Sequence, residues 1–180
     1  MIAEPLLSAA ARPAQPLPIG FQLYAVRGEF ARNVPGTLQT LAQIGYQAVE
    51  FWGYAGTPKV YKNYSAAELR KLLDDLGLKC CGMHLELTAL SALHLERTLE
   101  NSRLLGNSYV NVAAARSKMG SEKGIAHLAE LLNQAAHQCR PHQMSVGYHA
   151  HPFDFARIKD NMGWSGWEEF RNLTPYDKPN

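Results

Sequence analysis

"SAAELRKLLDDLGLKCCGMHLEL", residues 65–87, contains the repeating unit that decides the fold. Ser65 and Glu68 have the spacing of a capping box, which marks the start of a helix. The apolar stripe of that helix is Leu69, Leu72, Leu73 and Leu76. Gly77 follows where a left-handed C-terminal cap is expected. Residues 78–87 are mostly apolar on both faces, so the stretch predicts a helix followed by a buried parallel strand.

The same unit repeats on both sides of this stretch. Strands are predicted at 19–26, 46–53, 78–87, 108–115 and 144–151, and helices between them at 33–45, 65–77, 89–106 and 122–139. This alternation predicts an α/β protein, either an open doubly wound sheet or a (β/α)8 barrel. No Gly-x-Gly-x-x-Gly follows the first strand, which argues against an open sheet that binds a dinucleotide.

Composition and charge exclude several classes of protein. The chain has 180 residues, of which 46% are hydrophobic and 19% charged, as is ordinary for one soluble globular domain. A net charge of +2 with scattered Lys and Arg argues against a nucleic-acid partner. No apolar run approaches the roughly 20 residues that span a bilayer, so no membrane partner is expected. Cys80, Cys81 and Cys139 form no Cys-x-x-Cys pattern, which favours free thiols in a reducing, cytoplasmic compartment.

The first 18 residues differ from the rest because they are rich in Ala and Pro. We predict a disordered or loosely packed leader over 1–18, followed by one domain over 19–180. The segment "LLSAAA" within this leader also fits the remnant of an export signal, in which case the protein would be exported.

Four segments in order resemble the sugar phosphate isomerase/epimerase family. They are "IGFQLYAVRGEF" (19–30), "GTLQTLAQIGYQAVEFWGYAG" (36–56), the stretch 65–87 and "GYHAHPFDF" (147–155). The resemblance implies a xylose isomerase-like TIM barrel and a sugar or polyol substrate. It further implies isomerisation or epimerisation by proton transfer next to a carbonyl, usually assisted by a divalent metal such as Mn, Mg, Co or Zn.

The working residues of such a barrel belong at the carboxyl ends of its strands. The polar and aromatic residues near those ends are Gln22, Tyr24, Glu50, Trp52, His84, Glu86, Asn111, His149 and His151. Glu50 is a catalytic candidate because a carboxylate in the apolar strand "AVEFW" is costly unless it is paired or working. His149 is a second catalytic candidate. It is also a candidate metal ligand, since relatives place the metal-binding carboxylate of strand 5 there. The predicted substrate-binding residues are Trp52, His84, Asn111 and His151.

The segment after strand 5 departs from the family pattern. The common motif is His-Asn-His-Asp-Phe-Glu-Phe, and here Ala150 replaces the Asn, Pro152 the Asp and Asp154 the Glu. Both histidines remain, so a site role is favoured alongside the alternative of strand-end histidines that hydrogen-bond a neighbouring loop. The other four histidines are interpreted as surface or structural residues: His94, His127, His137 and His142.

The sequence offers five strands and then one short helix within 163–180, whereas a complete barrel typically takes about 250 residues. We therefore expect a partial (β/α)8 barrel. Without further carboxylates its metal site would be weak. Three explanations stay open: a longer parent enzyme, a barrel completed by a second copy that covers the open edge, or a half-barrel whose activity has decayed.

The predicted function is that of a sugar or sugar phosphate isomerase or epimerase. One alternative is a lyase or dehydratase of the same fold acting on a keto-sugar or inosose. Another is a non-catalytic carbohydrate-binding or oligomerising remnant. An endonuclease-like function ranks below these because the sequence lacks a basic patch.

Overall fold

The computed structural model describes residues 17–158 and 165–174. Five parallel strands form one sheet: β1 (Gly20–Gln22), β2 (Ala48–Tyr54), β3 (Lys79–Leu85), β4 (Tyr109–Val112) and β5 (Ser145–Tyr148). Their order in the sheet is their order in the chain, so each strand joins beside its predecessor. A doubly wound sheet reverses its strand order, whereas a (β/α)8 barrel does not. The predicted five-stranded partial barrel is thus confirmed.

Within these described residues, six α-helices accompany the sheet: α1 (Arg27–Arg32), α2 (Val34–Ile44), α3 (Ala66–Asp75), α4 (Leu95–Leu105), α5 (Glu122–Cys139) and α6 (Gly166–Leu173). Helix α3 begins at the predicted capping box, in which Ser65 Oγ accepts from the Glu68 N–H at 3.3 Å and the Glu68 carboxylate accepts from the Ser65 N–H at 2.7 Å. Helix α2 ends at Gly45, whose φ of 108° is left-handed. Local sequence signals therefore place these helices correctly.

The core lies between the sheet and its helices. Strand side chains such as Val49, Phe51, Met83, Val110 and Val112 are buried there. They pack with helix residues that include Leu38, Leu69, Leu73 and Leu128. Alternate strand residues point to the other side, which we call the open face. The register places Gln22, Glu50 and Gly82 side by side on that face, and likewise His84, Asn111 and Gly147.

Both end strands are shorter than predicted. Residues 19–26 were expected to form one strand, but β1 ends at Gln22 and Leu23–Val26 is a 3-10 helix. The cause is local, since the Gln22 side chain accepts from the Tyr24 N–H and caps this turn. Strand β5 ends at Tyr148 instead of residue 151, and Pro152–Phe155 forms another 3-10 turn. The histidines at 149 and 151 therefore lie just beyond the strand.

The predicted leader falls outside the described residues, apart from Leu17 and Pro18. Within the part of the chain that is described, no helix is both long and apolar enough to cross a membrane. The cysteines are free, with Cys80 and Cys139 buried and Cys81 exposed. The adjacent thiols of Cys80 and Cys81 thus differ in exposure, as expected for neighbours on a strand.

Candidate active site at the carboxyl ends of the strands

Side chains from three strands meet at His84. Gln22 Nε2 lies 3.4 Å from His84 Nδ1, and Glu50 Oε2 lies 3.4 Å from His84 Nε2. Both contacts are satisfied when Nε2 carries the proton and donates to the carboxylate, while Nδ1 accepts from the amide. The side chains of His84 and Glu50 are only 13% and 21% exposed. The imidazole is therefore held between two polar groups in a partly desolvated position.

The surroundings of His84 favour the neutral imidazole. Burial lowers the pKa of His84 below its ordinary value of 6.5 and is the largest influence. The charge of Glu50 acts in the opposite direction, while His149 and His151 lower the pKa further. At neutral pH His84 is thus an uncharged imidazole whose Nε2–H donates toward Glu50.

Three imidazoles line the strand ends beside this pair. The rings of His84 and His149 are 4.9 Å apart, and those of His149 and His151 are 4.7 Å apart. The His151 ring stacks on Phe153 at 5.1 Å, and the Arg116 guanidinium lies 5.4 Å from the Phe153 ring. His149 is exposed, whereas His151 is half-buried. The two histidines that follow β5 are thus brought to His84, and His149 has open access to a ligand.

A buried carboxylate holds the turn that carries these histidines. Asp154 is 0% exposed, and its two oxygens each lie 3.1 Å from the Tyr148 hydroxyl that donates to them. The same carboxylate accepts from the His151 backbone N–H at 2.7 Å. Burial, reinforced by the charge of Asp154, raises the pKa of Tyr148, so the phenol stays a donor. Asp154 thereby ties the Pro152–Phe155 turn to the end of β5.

Sequence reasoning noted Asp154 only as a replacement and missed this role. A signal was present in the segment Pro152–Phe155, where Asp154 lies between two phenylalanines. An acidic residue in such an apolar setting needs hydrogen-bond donors if it is buried. The donors themselves come from the preceding strand end, and the sequence pattern does not identify them.

Asn111 lies on the open face beside His84, with which it pairs in register. It also pairs with Gly147 on the other side, and its Oδ1 occupies the space where a side chain at that position would begin. Asn111 is half-buried. This placement supports a hydrogen-bonding role near the three imidazoles.

Trp52 belongs to an aromatic group at the end of β2. Its ring lies 5.0 Å from that of Tyr61, 5.8 Å from Phe30 and 5.9 Å from Tyr24. Tyr24 is 52% exposed, so this group reaches the surface. Tyr54, by contrast, is buried and accepts from Asn101 Nδ2 at 2.8 Å, which makes it a packing residue.

The remaining candidates lie apart from this cluster. Glu86 is exposed directly after β3. Of the other histidines, His127, His137 and His142 are exposed and His94 is half-buried. Among residues 17–158 and 165–174, no three His, Cys, Asp or Glu side chains are arranged to hold a metal ion. The metal role of His149 therefore stays a prediction, and the described donors do not by themselves form a complete site.

Residues 38–171 match the family model described as xylose isomerase-like TIM barrel. The chain belongs to this family. The xylose isomerase-like fold also appears in solved structures with which the chain has low identity. No curated protein matches the sequence significantly.

Two similar structures are of sugar phosphate isomerase/epimerases from Parabacteroides distasonis. They are 23% and 20% identical to this chain, with TM-scores of 0.76 and 0.69, and the matches cover 93% and 87% of this chain. The matches cover 67% and 65% of those structures, so the chain spans about two thirds of their length. A third is a probable 3-DHS dehydratase involved in petrobactin synthesis from Bacillus anthracis, 15% identical with a TM-score of 0.54, covering 76% of this chain and 53% of that one. At these identities the likeness establishes the fold, and the resemblance seen in the sequence is confirmed at that level.

Proposed function

We propose that this chain acts on a sugar or sugar phosphate as an isomerase or epimerase, by proton transfer next to a carbonyl. One observation carries the proposal. Glu50, a partly desolvated carboxylate, lies 3.4 Å from His84 on the open face, beside the exposed imidazole of His149. A structural strand needs none of these groups there, whereas a proton-transfer site needs a base and a donor at close range.

Each group has a distinct role in the proposed reaction. Glu50 removes the proton from the carbon next to the carbonyl, while the electron pair moves toward the carbonyl oxygen. His149 donates a hydrogen bond and then a proton to that oxygen, so that an enediol forms. His84 keeps the Glu50 carboxylate aimed through its Nε2–H. In isomerisation, Glu50 returns the proton to the former carbonyl carbon while His149 takes the proton of the other enediol hydroxyl, so that the carbonyl moves by one carbon. In epimerisation, His149 takes back the proton it gave, the original carbonyl re-forms, and the carbon receives a proton from water on the face opposite Glu50, which releases its own proton to solvent.

The substrate would be held by the polar residues around this pair. Asn111 and His151 offer hydrogen bonds to sugar hydroxyls on the open face, and His84 supports them from the centre. Trp52 contributes an apolar surface at the end of β2, where its aromatic group reaches the solvent through Tyr24. This set of residues suits a small polyhydroxylated ligand better than a nucleic acid.

A divalent metal (Mn, Mg, Co or Zn) remains part of the proposal, with His149 as one ligand. When bound, such an ion would stabilise negative charge on the substrate oxygens. The described residues do not complete its coordination, so further ligands would come from other residues or from a second chain. The same partner or chain segment would cover the open edge of the sheet at β5. None of the proton transfers above depends on the ion.

The test is exchange of substrate C–H protons in D2O, followed by NMR over a panel of ketopentoses and ketohexoses, free and phosphorylated. Glu50→Gln keeps the size of the side chain but removes the base, so we expect the exchange rate to fall at least about 100-fold. His149→Ala should act in the same direction. His142→Ala is the matched control, because His142 is exposed at the opposite end of β5. Full exchange in Glu50→Gln would disprove the role of Glu50.

Analysis of the products separates the competing functions. A rearranged or epimerised sugar supports the proposal. Loss of water from the substrate would assign the chain to a dehydratase instead. Saturable sugar binding without any exchange would indicate a carbohydrate-binding protein.

A further inference from the structure

On the open face, two glycines lie opposite polar side chains of a neighbouring strand. Gly82 of β3 pairs in register with Glu50 of β2, and Gly147 of β5 pairs with Asn111 of β4. Neither glycine has a positive φ, unlike Gly45 or the other left-handed glycines of the described chain. The backbone conformation therefore does not require glycine at these two positions, and another cause must be sought.

The space beside Gly82 is filled by Glu50. A Cβ added at Gly82 would lie 2.5 Å from Glu50 Oε1 and 3.2 Å from both Cγ and Cδ of Glu50. These distances are shorter than van der Waals contact, so the Glu50 side chain lies flat across the β3 backbone. Asn111 crosses β5 at Gly147 in the same way, and its Oδ1 occupies the place of the missing Cβ. The same arrangement thus occurs twice in one sheet.

The route across Gly82 leads to His84. Gly82 and His84 are two residues apart on β3, so they occupy the same face of the strand. An irregularity in the β2–β3 pairing makes this possible, because Val49 pairs with Cys80 whereas Glu50 pairs with Gly82. The skipped residue, Cys81, leaves Glu50 opposite the one position of this strand without a side chain.

We infer that Gly82 is a positioning residue: its missing side chain lets Glu50 cross β3 and place its carboxylate against His84. The proposed function gives this placement its purpose, since it aims the base. Any side chain at position 82 would push the Glu50 carboxylate away from His84 Nε2, which it meets at 3.4 Å. Gly82 would then act on the reaction through Glu50 and without touching the substrate.

The first test is a double-mutant cycle on the free energy of unfolding of the 180-residue chain, with Gly82→Ala, Glu50→Ala and the double variant. The inference predicts that Gly82→Ala lowers the urea midpoint in the native background and lowers it much less when Glu50 is already Ala, since the obstructing side chain is gone. If Gly82→Ala alone fails to fold, the double variant should still fold. An equal loss in both backgrounds would overturn the inference, because the glycine would then serve the backbone or another neighbour.

The second test compares proton-exchange rates with Glu and with Asp at position 50, in the native chain and in Gly82→Ala. The inference predicts that Glu is faster in the native chain and Asp is faster in Gly82→Ala. With Gly82 present, Glu50→Asp should be slower than the native chain because the shorter carboxylate falls short of its position. With Gly82→Ala, which should lose at least tenfold in rate, the same Glu50→Asp change should raise the rate, since Asp relieves the overlap. Gly28→Ala is the control, because Gly28 is an exposed helical glycine with no atom within 4 Å of the added Cβ.

The two tests fail in distinguishable ways. If no sugar of the panel exchanges protons with the native chain, the proposed function fails, and the unfolding cycle still decides whether Gly82 accommodates Glu50. If exchange occurs but Glu50→Asp lowers the rate in both backgrounds, the positioning role is wrong while the proposed function stands.

Discussion

The two faces of the sheet are built from the same strands, yet they differ in burial and in polarity. On the helix-covered face, Phe51 and Met83 are buried among apolar side chains and have no polar atoms to satisfy. On the open face, the neighbouring residues Glu50 and His84 are paired with each other at 3.4 Å. One face therefore contributes stability through buried area, and the other holds groups whose burial must be offset by hydrogen bonds.

This difference shows where the chain can accept change. A residue of the helix-covered face is fixed by volume, and many apolar residues of similar size would serve. A residue of the open face is fixed by chemistry and by its partner across the strands. A substitution on the helix-covered face should therefore mainly lower stability. A substitution at the adjacent position, on the open face, should mainly lower activity.

The largest expected effect is on the helix-covered face. Phe51→Ala removes a ring that is 1% exposed, so we expect the free energy of unfolding to fall by about 3–5 kcal/mol. Urea unfolding followed by circular dichroism measures this loss. The control is Ile44→Ala, since Ile44 is 68% exposed and a change there should stay within about 0.5 kcal/mol. A small loss for Phe51→Ala would mean that the two faces are not distinct in the way described.

The next effect concerns the Pro152–Phe155 turn, which follows β5 and positions the open-face histidines. Asp154→Ala leaves the half-buried Tyr148 hydroxyl and His151 N–H without their shared acceptor, which should cost about 1–3 kcal/mol in all. The loss should be smaller when Tyr148 is already Phe, because one of the two donors is then absent. Unfolding measured on both single variants and the double variant tests this. Additive losses would show that Asp154 and Tyr148 do not depend on each other.

The sequence predicts one face of the sheet far better than the other. The capping box at Ser65, the leucine stripe of α3 and the cap at Gly45 are local signals, and the structure has all of them. The contact of Gln22 with His84 joins residues 62 positions apart, and so depends on the register of three strands. The pairing of Glu50 with Gly82 depends on a shift in the β2–β3 register that skips Cys81, and no residue pattern predicts that shift. Candidate residues could thus be predicted one by one, but their partners could not.

A smaller effect is expected in the pH dependence of stability. The folded state lowers the pKa of His84 below the ordinary 6.5, chiefly by burial, so the unfolded chain takes up this proton more readily. Stability from this group is therefore complete above the unfolded pKa and is lost as the pH falls through it. His84→Asn should flatten the urea midpoint profile on that acid side. Glu50→Gln should lower the pKa of His84 further and His149→Ala should raise it, as measured by NMR titration. A raised pKa in Glu50→Gln would contradict the assigned pairing.

The smallest effect concerns the rates at which the adjacent thiols of Cys80 and Cys81 react with a thiol reagent. Cys80 is buried, and its burial raises the pKa of the thiol to about 12, whereas Cys81 is exposed. Burial also raises the pKa of the third thiol, Cys139, to about 11. A thiol reagent such as dithionitrobenzoate should therefore modify Cys81 first in the native chain, and all three thiols in urea.

The pKa of Cys81 is itself raised, mainly by partial burial and secondarily by the charge of Glu50. Glu50→Gln should thus speed the reaction of Cys81 by less than the difference between Cys81 and Cys80. Cys80 should change little because burial is the main cause of its raised pKa and Glu50 a minor one, and Cys139, whose pKa is raised by burial alone, should not change. If all three thiols instead reacted faster, the substitution would have loosened the whole sheet, and Glu50 would contribute to the stability of both faces.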